Sequence, residues 1–246
     1  MEALAKASQN PVADLISLPF QNNLNFGVGP VDQKQDVLNI QPVYPIEVNA
    51  DWNVITRTIV PVISQPDFGT GGGRDNGLGD VQFSTFLSPA HSTGWIWGAG
   101  AILQAPTAKD QALGQGKWGI GPTAVALHLT KGSPWVYGAL VNNVSSFAGS
   151  ENRQAVNQFL MQPFINYNFA SRPGMSLGFS PIITANWEAP GRDQWTVPLG
   201  LGLSQVLFIG NQAVSVQLAG YSNVVRPDYA AAWTARIQFS LLFPKK

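Results

Sequence analysis

The sequence predicts an all-β chain, folded as an antiparallel transmembrane β-barrel of about twelve strands with short periplasmic turns and longer extracellular loops. Three observations carry this expectation. Polarity alternates with period two over a series of segments, most of them as long as the roughly 9–11 residues that a tilted membrane strand needs, where globular strands commonly have about 5–6. The connections between these segments alternate between short and long. All eight tryptophans fall near segment ends.

Residues 1–14 lie ahead of the first alternating segment and form a short N-terminal periplasmic segment; residues 15–246 form the barrel. The stretch "MEALAKASQNPVAD" lacks the apolar core of about 7–15 residues that a secretory signal carries. Either the numbering is that of a mature protein behind a start Met, which the rest of the sequence favours, or the protein is not exported. Its Ala-rich part, 2–8, is either a short helix that ends before Pro11 or a frayed end.

The alternating segments run near 15–28, 36–48, 52–63, 79–88, 94–104, 116–129, 134–147, 155–169, 174–188, 193–208, 212–222 and 230–243. In the first, Ile16, Leu18, Phe20, Leu24 and Phe26 oppose Ser17, Gln21, Asn23 and Asn25. In the eighth, Phe159, Met161, Ile165 and Tyr167 oppose Gln158, Gln162, Asn166 and Asn168. In the last, Trp233, Ile237, Phe239 and Phe243 oppose Thr234, Arg236, Gln238 and Ser240. The third, sixth and eleventh are apolar on both parities, as where Ile55, Ile59 and Ile63 oppose Val54, Val60 and Val62. The interior is then not uniformly wet. The uncharged run from Gln194 to Val225 is long enough for a membrane helix, but Pro198, Gly200, Gly202, Gly210 and Gly220 and the alternation exclude one.

Short connections such as 49–51 and "GNQ" follow even-numbered segments. The long ones, 29–35, 64–78 and 105–115, follow odd-numbered segments. An even count puts both termini on the periplasmic side. Trp52, Trp95, Trp97 and Trp135 then share the periplasmic end with Tyr44, Tyr137 and Tyr167. Trp118, Trp187, Trp195 and Trp233 share the other end with Tyr221 and Tyr229. Amphipathic rings are most stable at headgroup depth, so these eight tryptophans are the expected membrane-interface aromatics. A soluble two-sheet sandwich would place several tryptophans in mid-strand. Against the barrel stand prolines 19, 42, 45, 61, 122, 163, 181 and 198 inside proposed strands. Each removes a ladder donor, so bulges are expected there.

Charged residues make up 11% of the 246, against about 25% in an ordinary soluble domain, and Lys plus Arg equals Asp plus Glu. No net field recommends nucleic acid as a partner. With no cysteine, disulfides, thiolate metal sites, a cysteine nucleophile and a lipid anchor on Cys are excluded. Outer-membrane enzymes need a nucleophile beside a base. The two histidines, His91 and His128, fall at a turn and near a strand end, and no Gly-x-Ser-x-Gly occurs. The Gly-rich stretch 69–80 lacks the Lys-Ser/Thr of a phosphate loop and reads as an extracellular loop, with calcium at Asp75 and Asp80 a minor alternative. The chain is therefore not expected to be an enzyme, to bind a metal or to use a cofactor.

The stretches "NPVADLISLPFQNN" (10–23), "WNVITRTIVPVISQP" (52–66), "GLGD" (77–80), "GKWGIGPTAV" (116–125) and "SFAG" (146–149) resemble bacterial outer-membrane proteins designated transporters or placed in the MetA-pathway phenol-degradation family. The resemblance spans nearly the whole chain. It implies a barrel in the bacterial outer membrane associated with small aromatic or hydrophobic compounds, and it carries no functional residues with it. One departure from many outer-membrane barrels is that Pro244, Lys245 and Lys246 follow Phe243 in place of a terminal Phe.

Parity places Glu47, Arg57, Lys117, Asn142, Gln162, Glu188, Arg236 and Gln238 inward, as candidate lumen-lining residues, with Asn23, Asn25, Gln41, Gln158 and Asn166. They form either a solute path with a few fixed charges or a polar ladder that holds the barrel shut. Ile55, Ile59, Ile63, Ile96, Ile102 and Leu140 are inward and apolar. The expected function is a porin-like channel or transporter for small uncharged hydrophobic or aromatic solutes, acting as a monomer in outer-membrane lipid. The alternative is a closed barrel with a structural or adhesive role.

Overall fold

The computed structural model describes residues 1–67, 73–92 and 94–244. Helix α1 (Glu2–Ser8) precedes β1 (Leu15–Val28), β2 (Gln33–Ile40), β3 (Val43–Glu47), β4 (Trp52–Pro66), β5 (Arg74–Leu78), β6 (Val81–Pro89), β7 (Gly94–Ala105) and β8 (Lys117–Leu129). There follow β9 (Trp135–Gly149), β10 (Asn157–Asn168), β11 (Met175–Phe179), β12 (Ile183–Asn186), β13 (Trp195–Ile209), β14 (Gln212–Val225) and β15 (Trp233–Pro244). The pairs β2/β3, β5/β6 and β11/β12 are each one span in two segments. Counted so, the described residues form twelve antiparallel spans, each paired with its sequence neighbours. The last returns to the first, in register from Leu15↔Pro244 to Phe26↔Trp233. The sheet therefore has no free edge, and every span finds its hydrogen-bond partners within the wall.

The prolines account for most departures from a regular ladder. Bulges were expected at all eight; the structure shows one, between Val197 and Pro198. Pro42 and Pro181 lie in the interruptions that split β2 from β3 and β11 from β12. Pro19 falls between the β1–β2 and β1–β3 pairings. Pro61 falls between the β4–β6 and β4–β5 pairings, and Pro163 between the β10–β12 and β10–β11 pairings. Pro122 sits where β8 and β9 skip from Ile120↔Ser145 to Thr123↔Asn142, and Pro45 beyond the single β1–β3 pair. A proline has no N–H to give, so it is tolerated where the neighbouring strand asks for none. A further bulge between Phe26 and Val28 uses Gly27 at φ 69°, where a Cβ would come 2.8 Å from the Cβ of Ala232.

Two of the three long loops are shorter than expected. The turn after β1 is confined to 29–32, and β4 and β5 extend the wall up to Pro66 and from Arg74, residues 68–72, where the Gly-rich stretch begins, lying outside those described. The alternation fades there because the wall has become polar on both faces, while the backbone ladder continues. The connection 106–116 is long, as expected.

The outer face is apolar: Leu199, Leu201, Leu203, Leu218 and Ile237 are all exposed, Leu218 to 59%. The opposite parity of the same strands is buried or polar, with Ser204, Val206, Gln217, Arg236 and Gln238 on the cavity side. This inverts the arrangement of a soluble protein and suits a sheet solvated by lipid. Aromatic clusters mark both ends. Toward the termini, Trp95 packs edge-on to His128 and Tyr137, Trp52 to Trp97, and Trp135 to Tyr167. At the other end Phe26 stacks on Trp233, and Trp187 packs edge-on to Trp195.

Residues 1–14 pack inside the end of the barrel from which both termini emerge. Ala5 joins Leu15, Val206, Ala213 and Leu242 in one apolar cluster. Val12 joins a larger one, with Ile55, Phe86, Val125, Leu127, Val136, Leu140 and Phe164. Gln9 and Asn168 exchange amide hydrogen bonds of 2.9 and 3.2 Å, and Gln9 donates a further one to Ser176. Lys6, almost buried, pairs with Glu2 at 2.7 Å. That hydrogen bond, with the lysine's charge, holds the Glu2 carboxyl below the ordinary carboxylate range.

Candidate solute path

Three cavities follow one another through the barrel. The first, of about 210 Å³, lies against the N-terminal segment and is bounded by Gln9, Pro11, Arg57, Phe164, Arg236 and Gln238 among others. The second, of about 260 Å³, shares Gln21, Gln41, Arg57, Leu140 and Gln162 with the first, so these five side chains stand at the junction. The third, of about 340 Å³, shares Gln82, Asn142 and Leu160 with the second and reaches Asp193, Gln194 and Pro227 at the loop end. The wall mixes amides and hydroxyls with Ile59, Ile102, Leu140, Leu160 and Phe164.

The inward candidates from the sequence divide into two groups. Arg57, Gln162, Arg236 and Gln238 line the first cavity, and Asn142 lines the second and third. Glu47 is exposed at the end of β3, Lys117 opens β8, and Glu188 is exposed beyond β12, none of them among the residues lining these cavities. The eight tryptophans all lie at or near strand ends. Trp95, Trp97, Trp118, Trp135, Trp187 and Trp233 are exposed, and Trp52 and Trp195 are half-buried.

Arg57 reaches the junction from β4 and donates to the Gln41 side chain at 2.5 Å. Gln41 stands in the β2/β3 interruption that Pro42 creates, and its side chain is buried. Arg236, on β15, donates to Asn23 at 2.9 Å and to the Ser180 carbonyl at 3.4 Å, with its guanidinium 4.8 Å from the Tyr221 ring. Ser180 lies in the β11/β12 interruption. Each arginine thus meets groups that a broken span leaves available.

Nearer the loop end an amide ladder crosses the inner wall. Thr234 donates to Asn25, Asn25 to Gln35, Gln35 to Gln65 and Gln65 to the Ala112 carbonyl, at 2.7, 2.9, 2.8 and 3.2 Å. It ties β15, β1, β2 and β4 to the connection 106–116. Sequence reasoning missed Gln35 and Gln65, which fell in stretches read as loops; the period-two spacing of Gln33 and Gln35 was the available signal. The connection 106–116 is pinned by Asp80, which accepts the backbone N–H groups of Ala108 and Gln115. Arg153 holds it too, donating to the carbonyls of Gln111, Gly114 and Gln115. Asp80 is thus occupied with the loop. Among the described residues no group of three or more metal-ligating side chains occurs. His128 lies among the aromatics of the outer face, 3.4 Å from the Thr130 hydroxyl.

Fold and cavities together define a closed, twelve-span antiparallel barrel with a partly filled lumen. Among solved structures, the chain is similar to a COG4313 outer membrane channel from Pseudomonas putida F1, with a TM-score of 0.66 and 13% identity over 93% of this chain and 94% of that one. It also matches the beta domain of the Bordetella autotransporter BrkA at a TM-score of 0.48 and 11% identity, covering 93% of this chain and 100% of the other. Outer membrane phospholipase A from Escherichia coli matches at 0.47 and 10%, covering 94% and 90%. No protein-family model and no curated protein matches the chain. At these identities the likeness to the COG4313 channel is one of fold.

Proposed function

We propose that the protein is a channel of a bacterial outer membrane that admits small solutes with apolar bodies, single-ring aromatics among them. The observation that carries this reading is the run of three adjoining cavities inside a wall whose outer face is apolar and banded by aromatics. The resemblance of its motifs to the phenol-degradation family and the fold it shares with the COG4313 channel support the reading.

Twelve strands enclose less space than the 16–18 of porins with an aqueous channel, and helix α1 with residues 9–14 takes part of it. Removing an apolar solute from water is favourable by roughly 25 cal/mol per Å². The apolar parts of the wall, Ile59, Ile102, Leu140 and Phe164, offer that gain, and the neighbouring amides satisfy a hydroxyl. A sugar, with little apolar surface to remove from water, gains less from these side chains. Passage through the periplasmic end requires the N-terminal segment to shift. The same docked segment favours a second reading, a permanently closed barrel with a structural or adhesive role.

Uptake by liposomes carrying the protein separates them. A monocyclic aromatic should enter faster than a sugar of similar size, each measured against protein-free liposomes. Faster sugar entry would identify a general diffusion pore, and no protein-dependent entry of either would leave the closed barrel.

A further inference from the structure

Among the described residues no ion pair joins Arg57 or Arg236 to an acidic side chain; Lys6 pairs with Glu2, and Arg192 with Asp193 and Asp228. Yet Arg236 is only 6% exposed, and both guanidiniums border the same cavity of about 210 Å³. Of the residues lining this cavity and the next, Asp80 alone is acidic, and it is held by the backbone of the connection 106–116.

A guanidinium carries five N–H donors in a planar fork. Among the described residues Arg57 directs one donor group to a protein acceptor, Gln41, and Arg236 directs two, to Asn23 and Ser180. These acceptors are all neutral. Each holds its arginine beside the cavity that both line, and the Arg236 guanidinium also lies 4.8 Å from the Tyr221 ring. Two inward cations without a counter-charge are costly as a purely structural device, since a buried charge is stable only when paired. A solute that enters the cavity can supply the counter-charge.

We propose that the space between Arg57 and Arg236 binds the carboxylate of a small organic acid whose apolar body rests on Leu140, Phe164 and Val206, which line the same cavity. Arginine forks match a carboxylate with two parallel hydrogen bonds, a geometry that a lysine or a neutral amide does not reproduce. The apolar wall then distinguishes an organic acid from chloride or inorganic phosphate, which gain nothing from it. This rests on reading the lumen as a solute path. It departs from the uncharged solutes expected from the sequence and assigns to this site apolar-bodied molecules with one carboxylate.

The test is calorimetric titration of the purified protein in detergent with sodium benzoate, benzyl alcohol and benzylamine, repeated with sodium chloride and sodium phosphate. Benzoate should bind saturably to one site, at least tenfold tighter than benzyl alcohol or either inorganic anion, with no saturable binding of benzylamine. Arg57→Gln and Arg236→Gln should each weaken benzoate at least tenfold, and Arg57→Lys should weaken it less than Arg57→Gln. Neither glutamine variant should melt at a lower temperature than the parent, because each removes an uncompensated charge. Benzoate binding that survives both substitutions, or that chloride, phosphate or benzyl alcohol equals, overturns the proposal. A lowered melting temperature with unchanged benzoate affinity would overturn it too, by assigning the arginines to the wall. Binding without liposome uptake would refute the channel and leave this site standing; uptake without carboxylate preference would do the reverse.

Discussion

Substituting Val12 with Asp should release the N-terminal segment from the lumen. Val12 is 5% exposed and packs among Ile55, Phe86, Val125, Leu127, Val136, Leu140 and Phe164. Losing the burial of a valine costs about 1.5–3 kcal/mol. A carboxylate left there would add several kcal/mol if it stayed, so the segment leaves instead. The polar hold against departure is the set of three hydrogen bonds joining Gln9 to Asn168 and Ser176, each worth about 0.5–1.5 kcal/mol net. A loss of roughly 4 kcal/mol raises the undocked fraction about a thousandfold. The assay is single-channel recording in planar bilayers, with heat-dependent gel migration to show that the barrel stays closed. The parent should show low, rarely opening currents and Val12→Asp long open intervals of higher conductance. A folded Val12→Asp protein with parental currents would refute the docking account.

Gln65→Leu should break the ladder between Gln35 and Ala112 and leave the Gln35 amide short of an acceptor, lowering stability by about 1–3 kcal/mol in thermal melts in detergent. Arg153→Ala removes the bonds to three carbonyls of the connection 106–116, so trypsin should cut at Lys109 faster than in the parent; equal rates would show that Arg153 does not hold the loop. Since Lys6 holds the Glu2 carboxyl below its ordinary range, their pairing is intact at neutral pH and is lost as the pH falls through that lowered value. Channel opening should therefore rise on acidification in the parent and be insensitive to pH over that range in Glu2→Gln.

Much of the architecture was legible because lipid and lumen impose opposite demands on alternate residues. The first and last spans, 15–28 and 230–243, were readable for that reason, and they form β1 and β15, the pair that closes the barrel. The limits of β2, β4 and β5 were not, since beyond the membrane both faces turn polar and Gln35 and Gln65 look like loop residues. The prolines were legible as irregularities but not as a pattern, because only the pairing shows that Pro19, Pro61 and Pro163 each face a broken neighbour. The path was readable in part. Parity put Arg57 and Arg236 inward, but no local signal brought them to one cavity. The docking of residues 1–14 was hidden for the same kind of reason: its contacts, Gln9 with Asn168 and Val12 with Phe86, join positions far apart in the chain.

The central claim, a barrel with lipid outside and a partly filled solute path inside, can be tested along a single span. The native chain has no cysteine, so positions 234–241 can be replaced by cysteine one at a time, labelled with a small fluorophore and studied in liposomes containing a lipid-borne quencher. The account predicts strong quenching at Ala235, Ile237, Phe239 and Leu241, and protection at Thr234, Arg236, Gln238 and Ser240. Uniform quenching along the span, or quenching confined to the second set, would contradict it.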